Sequence, residues 1–225
     1  MTTRATPGRT PRALPAAAQY DRAAATYDRV WRGYARRTTA LLLRHADVPP
    51  AARVLDVGCG TGALLATLAE RVPGVTLAGA DVSAGMLGAA RARLAAFPRK
   101  TLVEAPGDAL PFADGAFERV LSSSVLHYAL DPVAFLREMA RVCAPAHGRV
   151  AVLDWCADYG SVRALDAWLR RTDPAHDRVF TAREFEGLLA AAGLAPERFF
   201  RVRTGPVWGF MVAVARPVCS VSERR

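Results

Sequence analysis

Residues 53–62 limit the possible folds of this chain more than any other segment, because an apolar run leads there directly into closely spaced glycines. Arg53–Val57 is typical of a buried strand, a glycine stands at every second position over the next five residues, and Ala63–Arg71 is typical of a helix. Glycine lets the backbone turn sharply and lets a ligand approach the main chain. Free N–H groups in the first turn of the helix favour an anionic group. The segment therefore predicts a strand, a ligand-binding turn and a helix.

Beyond this turn, strand-like and helix-like runs alternate over about 100 residues. Such alternation is typical of βαβ units, and hence of a parallel sheet with helices on both faces. The sequence therefore predicts an α/β fold. Further strands are expected at 75–80, 101–104, 117–122 and 149–154, and further helices at 83–96 and 132–142.

The end of the chain predicts a different arrangement. Thr181 and Glu184 form a capping box that opens a helix, and Gly193 closes it. Runs 199–203 and 207–215 are strand-like, and the connection between them is too short for a parallel crossover. We therefore expect an antiparallel hairpin after the last helix and no second domain.

The N-terminal part is helix-rich from about residue 16 until two consecutive prolines end the pattern at 49–50. We expect residues 16–218 to form one domain, with disordered tails at 1–15 and 219–225. One face of the N-terminal helix carries four aromatic residues at helical spacing, Tyr20, Tyr27, Trp31 and Tyr34.

The chain is basic, with a net charge of +9 and 29 arginines against one lysine. Ten of the arginines lie in residues 1–55. A basic N-terminal third suits nucleic acid, anionic lipid or an acidic substrate, but a solvated basic face is the favoured explanation. The four cysteines are scattered without a C-x-x-C pair, so we expect no metal site.

No apolar run reaches membrane-spanning length and no secretory signal is present, so we expect a cytoplasmic protein.

Asp81 follows the glycine turn at a distance that suggests a nucleotide-like ligand. It stands nineteen residues after Gly62, at the predicted end of the second strand, where an acid can accept hydrogen bonds from ribose hydroxyls. Gly58-x-Gly60-x-x-Ala63 also satisfies the dinucleotide fingerprint. The turn and the acid together leave the identity of the ligand open.

Four segments resemble the class I methyltransferases that depend on S-adenosyl-L-methionine (SAM). They are VLDVGCGTG, GADVSAGML, GDALPFADGAFERVLSSSVLHYALDP and FLREMARVCAPAHGRVAVLD, which together span residues 20–155 when the N-terminal helix is included. The pattern is most similar to the small-molecule branch around the quinone-biosynthesis C-methyltransferases. One departure lies at 144–148, where that branch usually has Lys-Pro-Gly-Gly. The implied fold is a doubly wound, mostly parallel, seven-stranded Rossmann-like sheet with a C-terminal antiparallel hairpin and an N-terminal helical lid.

The resemblance also implies residues that bind SAM. Asp56 and the turn at Gly58, Cys59, Gly60 and Gly62 are expected to hold its methionine end. Asp81 is expected to bind the ribose. Four further residues are expected to contact the adenine, namely Val82, Met86, Asp108 and Ala109. Ser124 follows the fourth strand, and Tyr20 belongs to the lid.

Candidates for the chemistry lie after the fourth and fifth strands. His127 is the preferred base, since imidazole is the side chain that exchanges a proton near neutral pH. A pocket or core role for His127 remains an alternative, and Tyr128 is a second candidate. We expect surface or structural roles for the other three histidines. Further candidates follow the fifth strand and are Asp154, Trp155, Asp158 and Tyr159.

The leading hypothesis is methyl transfer from SAM to a carbon, oxygen or nitrogen of a small molecule, such as a quinol, a phenol or a natural-product intermediate. A nucleic-acid methyltransferase is an alternative suggested by the basic charge. It is disfavoured because Ser-Ser-Ser-Val-Leu-His at 122–127 replaces the Asn/Asp-Pro-Pro-Tyr/Phe motif that is typical of base N-methylation. A SAM-binding module without methyl transfer is the third hypothesis, and a nicotinamide-dependent oxidoreductase is the fourth.

Overall fold

The structure is a computed structural model that describes residues 13–173 and 175–218, with side chains described from residue 16 onward. The predicted tails at 1–15 and 219–225 lie outside the described side chains, so the domain limits remain predictions. The helices are α1 (Ala13–Ala46), α2 (Ala63–Arg71), α3 (Ala84–Arg93), α4 (Pro132–Val142), α5 (Gly160–Thr172) and α6 (Ala182–Ala191). The strands are β1 (Arg53–Val57), β2 (Thr76–Asp81), β3 (Lys100–Glu104), β4 (Arg119–Ser123), β5 (Arg149–Trp155), β6 (Leu194–Thr204) and β7 (Trp208–Pro217).

All seven strands belong to one sheet in the order β3-β2-β1-β4-β5-β7-β6. Strands β1 to β5 are mutually parallel, whereas β7 is antiparallel to both β5 and β6. The prediction of a doubly wound, mostly parallel sheet that ends in a hairpin is confirmed. The strand order reverses between β1 and β4, and open α/β sheets bind ligands in the crevice at such a point.

Local sequence explains where the helices begin. Ser83 caps α3 by accepting a hydrogen bond from the backbone of Met86, and Asp131 caps α4 in the same way. The capping box of Thr181 and Glu184 at the start of α6 is confirmed.

Apolar residues of the parallel strands alternate between two cores, one on each face of the sheet. Val54 packs into the core beneath α1 and α2, while its neighbour Leu55 packs into the core beneath α4 and α6. Burial on both faces explains why β1 is a continuous apolar run.

Helix α1 lies against α2, α3, β4 and β5, and so covers the carboxyl ends of the central strands. Its C-terminal half is anchored by buried Leu42 and Ala46. Three of the four aromatic residues on its predicted face point to the sheet, whereas Trp31 is 39% exposed.

Candidate active site

A cavity of about 170 Å³ lies between α1 and the carboxyl ends of β1, β2 and β4. It occupies the crevice that the strand order predicts. Tyr20, Tyr27 and Tyr34 line it from α1, so the helix forms one wall of the cavity. Ten of the predicted site residues line the cavity: Tyr20, Asp56, Gly58, Cys59, Gly60, Asp81, Val82, Met86, Ser124 and Tyr128.

The other four predicted site residues do not line this cavity. Gly62 lies behind the turn, where its N–H donates to the Cys59 carbonyl at 2.9 Å. Asp108 is exposed, and the Ala109 N–H is used within a turn by the Pro106 carbonyl at 3.2 Å. His127 is buried beside the cavity, separated from it by Tyr128.

The glycine turn takes its shape from backbone conformations that favour glycine. Gly58, Gly60 and Gly62 have φ angles of 75°, 52° and 75°. A Cβ on Gly58 would lie 2.8 Å from Cγ1 of Val125 and closer still to Cγ2, whereas one on Gly60 would meet no atom within 4 Å. Gly58 is thus required for packing, and Gly60 leaves space beside the cavity.

Two carboxylates converge on the turn. Asp81 accepts hydrogen bonds from Gly60 N at 2.8 Å and from Ser83 N at 2.9 Å, and it lines the cavity. Burial raises the pKa of Asp81, and this effect is larger than that of the backbone hydrogen bonds, which lower the pKa. Burial, assisted by the charge of Asp81, raises the pKa of Asp56 to about 7. A cationic ligand would compensate this unfavourable burial of negative charge.

Two acids hold α1 over the cavity. Asp21 accepts from Ser83 Oγ at 2.5 Å and from a backbone N–H in the first turn of α3. Asp28 accepts from Thr61 Oγ1 at 2.7 Å and pairs with Arg93. In the sequence pairs Tyr20-Asp21 and Tyr27-Asp28, the tyrosine therefore lines the cavity while the aspartate binds the neighbouring elements.

The predicted base lies in a dyad between β4 and β5. Nδ1 of His127 lies 2.6 Å from Oδ1 of Asp154, and the backbone N–H of His127 donates to the same carboxylate at 3.2 Å. The imidazole stacks on Trp155, with ring centroids 4.3 Å apart. Only 1% of His127 is exposed. Burial raises the pKa of Tyr128, so its phenol stays protonated near neutral pH and can donate a hydrogen bond.

Sequence reasoning missed the role of Tyr34. Its hydroxyl accepts from Trp155 Nε1 at 2.6 Å and bonds Ser124 Oγ at 2.6 Å, which joins α1 to the ends of β4 and β5. Ser124 has a φ of 62°, an uncommon conformation that neighbouring contacts must hold in place. The helical aromatic spacing placed Tyr34 on the correct face, but nothing in the sequence indicated its partners.

Most of the remaining candidates lie outside the cavity. Asp158 pairs with Arg201, and His147 is exposed. His176 is buried, so of the surface and structural roles that we expected for it only the structural one fits its position. Within residues 13–173 and 175–218, no group of three His, Cys, Asp or Glu side chains could hold a metal ion. No helix in that part of the chain is long and apolar enough to cross a membrane.

Comparisons with known proteins agree with this geometry. Residues 54–146 match the family described as a methyltransferase domain. A demethylmenaquinone methyltransferase of Thermus thermophilus is 39% identical over 126 residues, which are 56% of this chain and 54% of that protein. The chain spans about half the length of the curated relatives it matches, with 43%, 54% and 62% of the first three covered.

Solved structures share the fold at lower identity. A chain from the complex of the Haloferax volcanii methyltransferase activator Trm112 with a methyltransferase superposes with a TM-score of 0.77 at 22% identity, covering 88% of this chain and 97% of that one. The cyclase SpnF superposes with a TM-score of 0.68 at 21% identity, covering 82% of each chain. Residues 54–146 are thus similar to a methyltransferase domain, and the solved structures show that the chain shares the methyltransferase fold.

Proposed function

We propose that this protein transfers the methyl group of SAM to a small-molecule acceptor. The observation that carries the proposal is the cavity at the β1–β4 crevice, in which the glycine turn, Asp56 and Asp81 meet. A turn open to the ligand, two acids and an adjoining apolar surface fit a molecule that has a cationic end, a ribose and a flat base.

The residues of the cavity suit the parts of SAM in turn. Asp56 and the backbone of 58–62 would hold the cationic methionine end, and the Asp81 carboxylate, which lines the cavity, would accept from the ribose hydroxyls. Met86 and Val82 offer apolar surface for the adenine. Tyrosine rings from α1 suit a sulfonium, because a cation is attracted to an aromatic face. We assign Asp108 and Ala109 to the rim on the adenine side.

SAM supplies a methyl group that is already activated as part of a sulfonium. The chain must align the acceptor, exclude water and remove one proton. His127 is the proposed base, since the Asp154 carboxylate accepts a hydrogen bond from its Nδ1–H and leaves Nε2 as the basic nitrogen. Helix α1 is the proposed lid, and its release requires the hydrogen bonds of Asp21 and Asp28 to open.

The names of the relatives favour small acceptors. Those that match include demethylmenaquinone methyltransferases, and one solved neighbour is a geranyl diphosphate C-methyltransferase. We propose no nucleic-acid partner, because Ser-Ser-Ser-Val-Leu-His stands at 122–127 in place of the motif that is typical of base N-methylation. We also propose a cytoplasmic location, for which the free buried cysteines Cys59, Cys143 and Cys156 suit a reducing compartment.

A SAM-binding protein without methyl transfer is the second candidate. One observation favours it, namely that the cyclase SpnF has this fold. Function on one fold depends on the site, so the two candidates differ only in acceptor chemistry.

The test is methyl transfer from isotopically labelled SAM to a panel of phenols, quinols and amines. We expect label in at least one acceptor, in amounts that scale with enzyme. An Arg216→Gln variant is a matched control, because Arg216 is exposed on β7 and away from the cavity. Tight SAM binding with no label in any acceptor would favour the second candidate.

A further inference from the structure

A second aspartate–histidine pair lies next to the first. His176, in the segment between α5 and α6, places Nε2 at 2.8 Å from Oδ1 of Asp166. The imidazoles of His176 and His127 are 5.6 Å apart between ring centroids, and both pack near Trp155. Two buried histidines, each held by its own carboxylate, therefore meet beside the cavity.

The carboxylates determine which nitrogens carry protons in the neutral rings. Asp166 also accepts hydrogen bonds from Arg170 and from Val179 N, so it acts as an ionised acceptor and the His176 nitrogen facing it must donate. Asp154 likewise accepts from two backbone N–H groups, those of His127 and Trp155. The neutral rings consequently carry their protons on Nδ1 of His127 and Nε2 of His176.

The opposite nitrogens are unpaired. Nε2 of His127 and Nδ1 of His176 are buried and have no hydrogen-bond partner among the described residues. In the neutral rings both atoms are lone-pair acceptors, so what each one needs is a hydrogen-bond donor. Buried polar atoms are rarely left unpaired, and an unpaired one calls for an explanation, of which a bound ligand is one.

The surroundings indicate the shape of that donor. Trp155 stacks on the His127 imidazole and is tilted to that of His176, while Tyr128 is tilted to His127 and meets His176 edge to face. Tyr128 contacts both imidazoles and also lines the cavity, so a ligand in the cavity would have to displace the Tyr128 side chain to reach the histidines.

We propose that His127 and His176 form an acceptor subsite that binds a planar ring bearing neutral hydroxyl groups, of the phenol or catechol class. The methyl-transfer role of this subsite rests on the proposed function, whereas its binding chemistry does not. A single hydroxyl satisfies one of the two nitrogens, and a vicinal pair of hydroxyls satisfies both. The order of affinity is therefore catechol, then phenol, then the fully methylated 1,2-dimethoxybenzene, which has no donor.

The first measurement is nitrogen NMR of the full chain with its histidine rings labelled. The chain has four histidines, so the spectrum is simple, and exposed His147 serves as the internal reference. We expect catechol to shift the unprotonated nitrogens of both His127 and His176 in the presence of S-adenosylhomocysteine. Neither resonance should move with 1,2-dimethoxybenzene. Equal shifts with both compounds, or none with catechol, would overturn the proposal.

Two matched substitutions test each nitrogen separately. His176→Gln keeps a donor for Asp166 and removes the Nδ1 lone pair, and His127→Asn keeps a donor for Asp154 and removes the Nε2 lone pair. Each should reduce the affinity for catechol about tenfold and abolish its preference over phenol. An unchanged preference in folded His176→Gln protein would remove His176 from the subsite. Because the NMR titration uses the unaltered chain, the proposal stays testable if a variant fails to fold.

Calorimetry with S-adenosylhomocysteine separates this proposal from the proposed function. If that compound fails to bind while catechol alone still shifts both histidines, the subsite stands and the methyltransferase assignment fails. If it binds and catechol shifts neither histidine, the assignment stands and the subsite is wrong.

Discussion

The two halves of the candidate site are built in different ways. On the cofactor side, the turn at 58–62 and Asp81 belong to two neighbouring βα units, and their hydrogen bonds join backbone to one carboxylate. On the acceptor side, His127 depends on Asp154, which comes from another strand, and His176 arrives from a segment beyond α5. The cofactor side is thus determined largely by local sequence, while the acceptor side is determined by side chains that only the tertiary fold brings together.

This difference predicts separable effects of mutation. Substitutions at the glycine turn should change cofactor affinity or folding and leave the acceptor preference intact. Substitutions in the two histidine pairs should change turnover or acceptor affinity and leave the cofactor bound as before. A substitution that changed both the cofactor affinity and the acceptor preference would contradict this division of the site into two halves.

The largest expected effect lies on the acceptor side. His127→Asn should lower kcat about 10²–10⁴-fold, because the variant keeps a donor to Asp154 but lacks the basic nitrogen. Turnover is measured with the best acceptor from the panel, and SAM affinity should stay within about twofold on the same preparation. A nearly unchanged kcat would move the base role to another residue, such as Asp154 or Tyr159.

The next effect compares two glycines of the same turn. Gly58→Ala should cost about 2–4 kcal/mol of folding stability, because it adds backbone strain and overlaps Val125. Gly60→Ala should cost only about 1–2 kcal/mol, since its Cβ meets nothing within 4 Å and only the strain remains. Denaturant unfolding of both variants measures the difference. Equal losses would show that the contact with Val125 does not fix the turn.

A smaller effect is expected at Asp81. Asp81→Ala should weaken SAM binding by about ten- to a hundredfold. The variant loses hydrogen bonds to a charged group, which contribute about 1.5–3 kcal/mol to the binding free energy. Asp81 also holds Gly60 N and Ser83 N, so Asp81→Asn, which keeps one acceptor oxygen, is the matched control and should lose less. Unchanged affinity in both folded variants would place the ribose elsewhere.

The smallest effect is a dependence of SAM affinity on pH. The pKa of Asp56 is raised to about 7 by burial, so the carboxyl is mostly protonated at pH 6 and mostly ionised at pH 8. A cationic ligand favours the ionised form, and affinity should therefore rise by about tenfold between these pH values and then level off. Asp56→Asn should remove this rise. An affinity that falls with pH would contradict the assigned position of the cationic end.

The same raised pKa has a consequence for stability. The unfolded chain ionises Asp56 near its ordinary pKa of about 4, whereas the folded protein retains the proton up to about 7. The folded state thus binds more protons between these values, and the contribution of Asp56 to stability is lost as pH rises through that window.

Much of the fold could be predicted because its signals are local. The bounds of β1, α2 and α4 agree with the sequence prediction, since each has a dense apolar pattern or a clear cap. Helix α5 was missed because few of its side chains are buried and polar and charged residues are frequent in its sequence. Strand β6 begins at Leu194, directly after Gly193 and earlier than predicted, because much of it is exposed and its first half lacks an apolar run.

The candidate site divides in the same way. The glycine turn, Asp81 and Met86 were predicted from short motifs, and the structure places them around one cavity. The partners of Tyr34 were not predicted, because they lie more than 50 positions away along the chain. The burial of His176 was not predicted, because it lies in a segment without a motif. Single polar residues carry little information until the fold supplies their neighbours.

The most direct test of the central claim is a calorimetric titration of the full chain with S-adenosylhomocysteine, and in parallel with NAD. The acids at the turn, Asp56 and Asp81, and the cavity that they share predict saturable binding of S-adenosylhomocysteine in the micromolar range and no saturable heat from NAD. Saturable NAD binding without any heat from S-adenosylhomocysteine would contradict the account.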